Sequence, residues 1–114
     1  MYLFFDTETT GLPRNWKAPV QDTQNWPRMV QIAWLLYDDK GQYINGKNFI
    51  IKPEGYIIPN SAVQIHKISN ERAMNEGADL SSVLILFAEQ IEKADLIIAH
   101  NINFDEKIAG AEFI

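Results

Sequence analysis

The chain has 114 residues, of which 46% are apolar and 22% charged, with no cysteine and a formal net charge of −5. That length suits one domain with one sizeable core, and the composition excludes a wholly disordered chain, a disulfide framework and a thiolate metal site. Fifteen acids against ten bases argue against a sequence-blind nucleic-acid coat, but not against an enzyme that meets phosphate through bound cations.

Tyr2–Phe5 is an apolar, aromatic run that reads as a buried strand, followed by Asp6-Thr7-Glu8 and a turn over Thr10-Gly11-Leu12-Pro13. Residues 14–28 hold two prolines and two tryptophans without a clean period, the pattern of a long functional or mobile loop. Val30–Tyr37, a turn at Asp38–Gln42 and Tyr43–Ile51 predict a hairpin, with Asn45-Gly46 marking a bulge or a later strand start. Pro53–Pro59 connects to short helical stretches at Ser61–His66 and Glu71–Glu76, the second ended by Gly77. The strongest helix is Leu80–Lys93, capped by Asp79, with Leu80, Val83, Leu84, Phe87, Ala88 and Ile91 on one face. Asp95–Ala99 reads as a strand buried on both faces, and a helix starts near Phe104. The order predicts an α/β fold with a mixed sheet.

The longest unbroken apolar runs, Ile32–Tyr37 and Val83–Ala88, are six residues each, far short of the roughly 20 that cross a bilayer. Met1–Asp6 lacks the basic region of a signal peptide. With no cysteine to protect, a cytoplasmic setting without a membrane partner is the expectation.

Asp6 and Glu8 stand two apart in an extended segment, so both side chains are predicted to project to one side of the first strand's end. Two hard oxygen donors held that close favour a divalent cation over mutual repulsion. The bare pair is weak, since about two acid-x-acid spacings are expected by chance at this composition. Its position at the carboxyl end of a central strand, where open α/β sheets place ligands, gives it weight. Asp105 stands in the first turn of the last helix, where capping alone would also put an acid. If strands 2–6 and 95–99 are neighbours, the three acids converge on one sheet edge.

Phe4–Pro13 (FFDTETTGLP) and Ile97–Ile108 (IIAHNINFDEKI) resemble the first and second motifs of the DEDD-type 3′–5′ exonucleases, above all the epsilon-type proofreading subunits of bacterial DNA polymerase III. Pro27–Trp34 resembles the family's second strand, and Ile58–Ser69 the segment lining its nucleotide pocket. The resemblance implies a ribonuclease H-like fold and stepwise removal of nucleotides from a 3′ end. It also implies two divalent cations, Mg²⁺ or Mn²⁺, on Asp6, Glu8 and Asp105. By the same resemblance Thr7, Thr9, Thr10, Gly11, Leu12, His66 and Phe104 contact a single-stranded or frayed 3′ end, with DNA favoured over RNA.

Competing roles remain for several residues. His66 is either a packing histidine or a substrate contact, and His100 either fixes a turn or moves protons. Phe104 is core or stacking platform. Trp16 and Trp26 either cover the core or form a lip for single strands, on which bases stack. The family also has a third motif, with a general base and a fourth acid, and nothing after Asp105 matches it. Residues 1–114 are therefore expected to be an exonuclease domain incomplete at its C-terminus, lacking its last strand and C-terminal helices. Weak activity and an exposed strand edge open to self-association are expected with it. A non-catalytic nucleic-acid- or partner-binding module is the alternative, and no polymerase partner is readable.

Overall fold

A computed structural model describes all residues from 1 to 114. Strands β1 (Tyr2–Thr9), β2 (Met29–Tyr37) and β3 (Tyr43–Ile50) precede helices α1 (Asn60–His66), α2 (Asn70–Glu76) and α3 (Leu80–Lys93). Strand β4 (Leu96–Ile98) and helix α4 (Ile102–Phe113) follow. The sheet order is β3-β2-β1-β4. The β1–β2 and β2–β3 pairs are antiparallel, and β1–β4 is parallel, with Tyr2 opposite Leu96 and Phe4 opposite Ile98. The predicted mixed α/β sheet is therefore present, with the motif-bearing β1 inside it.

Alternation along the strands sorts residues onto two faces. Leu3, Phe5, Ile32, Trp34 and Leu36 join Val83, Leu84 and Phe87 of α3 and Ile108, Ala109 and Ala111 of α4 in the main core. Phe87 is its centre: its ring lies 5.1 Å from Phe5 and 5.3 Å from Trp34. Helix α3 begins as the sequence indicates, with the Asp79 carboxylate accepting from the Ser82 N–H at 3.1 Å. The opposite sheet face is open. Phe4, Ala33, Leu35, Tyr43 and Ile98 line a hollow there of about 630 Å³, with Asp6, Lys47 and His100 at its polar end.

A second, smaller core of Val30, Ile58, Ala62, Ile68 and Ala73 packs α1 and α2 beside the end of β2. Its chain path returns to the sheet through an Ile51–Ala78 bridge, and Gly77 is required next to it: a Cβ there would meet the Ala73 carbonyl and the Lys52 backbone. The Tyr56 hydroxyl donates to the Met29 carbonyl at 3.0 Å. Burial pushes that phenol up to about 12, against the opposing pull of Arg28, so the tether keeps its proton at physiological pH.

Two sequence expectations change. The residues of Asp95–Ala99 are not buried on both faces: Leu96 and Ile97 remain 53% and 36% exposed. Strand β4 is the sheet's outer strand, paired only with β1, and neighbours Leu96 and Ile97, which point to opposite faces, are both left partly open. The hairpin irregularity falls between Leu36 and Tyr37, which pair with Asn45 and Tyr43 and leave Ile44 as the extra residue. Gly41, at φ 81°, takes the turn itself, so Asn45-Gly46 is free to lie in the ladder.

Phe87→Ala is expected to cost about 3–5 kcal/mol in urea unfolding, because two aromatic neighbours and the sheet cannot collapse into the space left. A loss below about 1 kcal/mol would show that this trio is not the packing centre.

Candidate active site

The carboxyl end of β1 meets α1 and the first turn of α4 around a cleft of about 520 Å³. Its walls include Glu8, Thr9 and Leu12 after β1, Ser61, Ile65 and His66 of α1, and Phe104 of α4. Thr7 and Gly11 complete the β1 side. Leu12 and Ile65 stand 74% and 81% exposed, which gives the cleft an apolar lip around a polar floor.

Asp105 is held from β1. Its Oδ1 accepts the Thr7 hydroxyl at 2.6 Å and the Thr7 N–H at 3.2 Å, and the residue is only 3% exposed. Burial, and then the charge of Asp6, push its carboxyl above the usual range, while the Thr7 and Asn101 bonds pull the other way. Glu8 is also pushed up, first by burial, then by Asp6 and by Asp105, with His66 opposing. The three acids therefore feel one another as like charges across the end of β1.

They are not gathered into one ready-made metal-holding group. Asp6 opens onto the uncovered sheet face with His100 and Lys47, whereas Glu8 lines the cleft. Asp6 and Glu8 keep the same side of β1, opposite buried Phe5 and Thr7, but line different hollows, and Asp105 is bonded to Thr7. The donor set is nevertheless all carboxylate oxygen and mutually repelling, a chemistry that fits a hard divalent cation. Asp6, Glu8 and Asp105 are the oxygen donors that such a cation would meet at this end of β1.

The other predicted contacts separate cleanly. Thr9, Gly11, Leu12, His66 and Phe104 reach the cleft with Thr7. Thr10 does not: its hydroxyl accepts the Arg28 N–H at 3.0 Å and its own N–H donates to the Arg28 carbonyl at 3.0 Å. It closes the neck of the 14–28 loop instead. Thr9 and Gly11 stabilise the turn through the Thr9 hydroxyl, which donates to the Gly11 carbonyl at 2.8 Å. His66 Nδ1 accepts the Ile68 N–H at 3.1 Å, leaving a buried Nε2 without a partner. That assigns the neutral ring an Nε2–H donor aimed at nothing within the protein. Ser61 and Ile65 also line the cleft, and both lie in the Ile58–Ser69 segment whose resemblance pointed to the pocket.

The two tryptophans also part company. Trp26 is 3% exposed and its indole donates to the Pro19 carbonyl at 3.0 Å, so it belongs to the core. Trp16 stays 49% exposed, with its ring 5.4 Å from Phe104.

Solved structures share this fold. E. coli exonuclease I in complex with a dT13 oligonucleotide matches with a TM-score of 0.75 at 23% identity, over 95% of this chain and 22% of that one. The zinc-bound form of the E. coli exonuclease I–single-stranded DNA complex matches at 0.74 and 23%, over 95% and 22%. A product-bound exonuclease I matches at 0.74 and 23%, over 95% and 24%. By its sequence, the chain belongs to the exonuclease family whose model, RNase_T, matches residues 3–114. No curated protein matches it. The chain spans less than a quarter of the length of the exonuclease I chains.

Because Glu8 and Asp105 are held above their ordinary values of 4.5 and 3.8, the folded chain retains their protons at pH values where the unfolded chain has lost them. Their contribution to stability then falls as pH rises from those ordinary values through the raised ones, and returns on acidification. Glu8→Gln is expected to raise the melting temperature at pH 7 and to lose that gain near pH 3.5. Equal effects at both pH values would remove the repulsion from the account.

Proposed function

We propose that this cleft serves a metal-dependent 3′–5′ exonuclease that releases nucleoside 5′-monophosphates from a single-stranded or frayed DNA end. The observation that carries the reading is the trio Asp6, Glu8 and Asp105, whose like charges meet at the end of β1 beside a nucleotide-sized cleft. Two divalent cations, Mg²⁺ or Mn²⁺, would supply the activation of water and the stabilisation of the leaving 3′ oxygen. The likeness to exonuclease I bound to DNA oligonucleotides supports DNA over RNA.

The chain's own residues divide the remaining work. Leu12 and Phe104 offer apolar surfaces to the terminal base, and the Thr9–Gly11 turn sets the sugar's place. His66 donates its free Nε2–H to a substrate oxygen, which satisfies an otherwise orphaned buried group. In that tautomer His66 cannot accept a proton from water. Residues 1–114 thus present acids and substrate contacts with no general base assigned among them, so weak hydrolysis is expected from this chain, and divalent binding is the more sensitive readout. The unpaired edge of β4 offers a route to self-association.

Mn²⁺ or Mg²⁺ is expected to raise the melting temperature by binding the folded state, and Asp6→Asn to abolish that rise. On a 3′-labelled single strand, Asp6→Asn is expected to remove whatever stepwise shortening the chain shows, and a chelator to do the same. Shortening that persists without divalent ions, or that starts at the 5′ end, would sink the reading. Matched DNA and RNA oligomers decide the sugar preference.

A further inference from the structure

We infer that Trp16 is a second base-stacking residue, which receives the nucleotide next to the one seated in the cleft. The inference rests on the exonuclease reading above and extends it from one nucleotide to at least two. The cleft's volume of about 520 Å³ suits a single nucleotide, within the range of about 300–1,000 Å³ usual for small-ligand sites. Phe104 forms part of its wall. Trp16 packs on Phe104 with ring centroids 5.4 Å apart and planes inclined at 45°. That step compares with the advance of one nucleotide, about 3.4 Å in a helical strand and more in an extended one.

Trp16 is also presented in the way a stacking platform requires. It is half exposed, whereas Trp26 and Trp34 are 3% and 2% exposed. The loop beneath it is fixed: Asn25 accepts the Asn15 N–H at 2.7 Å and donates to the Asn15 carbonyl at 2.9 Å. The Asn15 carboxamide oxygen then accepts the Lys17 N–H at 3.0 Å, and Trp26 and Ala18 anchor the same loop in the core. An apolar ring held out in water on a pinned backbone has its ordering cost met before any ligand arrives. Arg14 and Lys17 flank it, both exposed, and Lys107 lies 3.5 Å from its carbonyl. Positive charge interleaved with an aromatic is the combination that tracks a single strand.

Affinities of thymidine 5′-monophosphate, dT2 and dT4 are compared by competition against a labelled oligomer, in Ca²⁺, for the unaltered protein, Trp16→Ala and Trp16→Phe. The unaltered protein is expected to gain affinity from the mononucleotide to dT2. Trp16→Ala is expected to keep mononucleotide binding and lose about tenfold on dT2, with Trp16→Phe restoring most of it at an unchanged melting temperature. If Trp16→Ala binds dT2 and dT4 as tightly as the unaltered protein, the inference fails and the exonuclease reading stands. If Trp16→Ala loses mononucleotide binding as well, Trp16 acts only by propping Phe104, which also overturns it. If the unaltered protein binds no oligomer, both fall together.

Discussion

One buried carboxylate organises this molecule. Asp105, at the start of α4, takes both the hydroxyl and the backbone N–H of Thr7 on one oxygen, joining residues 98 apart in the chain. A carboxylate so enclosed is costly unless bonded, and bonds to a charged acceptor return about 1.5–3 kcal/mol each. The pairing fixes where α4 begins, and Ile108, Ala109 and Ala111 then fall onto the sheet. The far end of the helix is secured by Glu112, which accepts Arg28 Nε at 2.9 Å and the Met29 N–H at 3.2 Å. Between these two ties the helix has a single orientation, and Phe104 is delivered to the cleft as a consequence.

The same interaction shows why structure and chemistry compete at this point. Asp105 is one of the three acids suited to a divalent cation, yet in the protein alone it is bonded to Thr7 and raised in proton affinity by burial and by Asp6. Asp6 and Glu8 sit in neighbouring hollows rather than a shared one. The scaffold thus brings like charges into range without completing a coordination shell. A divalent ion bound among them would relieve the repulsion that folding imposes.

Much of this was legible in the residues, and for identifiable reasons. The aromatic run before Asp6, the hairpin and the face of α3 all express a period, and period survives folding. What escaped depends on neighbours. The apolar Leu96–Ile98 stretch looks the same whether its sides are covered or open, and only its place at the sheet's edge exposes it. Thr9 and Thr10 are chemically alike, but Thr10 is spent on Arg28, a partner no spacing reveals. Trp16 and Trp26 are separated by the Pro19 carbonyl and the Phe104 ring, contacts made by the fold of a loop without periodicity.

The two walls of the cleft do not share a foundation. Glu8, Asp105 and Phe104 stand on the main core, of 15 buried residues, while His66 and Ile65 belong to α1, which rests on a core of five. The smaller core meets the sheet through Val30 of β2, the Ile51–Ala78 bridge and the Tyr56 hydroxyl. Local opening costs least where the fewest apolar contacts are broken. The α1 side of the cleft is therefore expected to open locally at lower cost than the side that carries the acids.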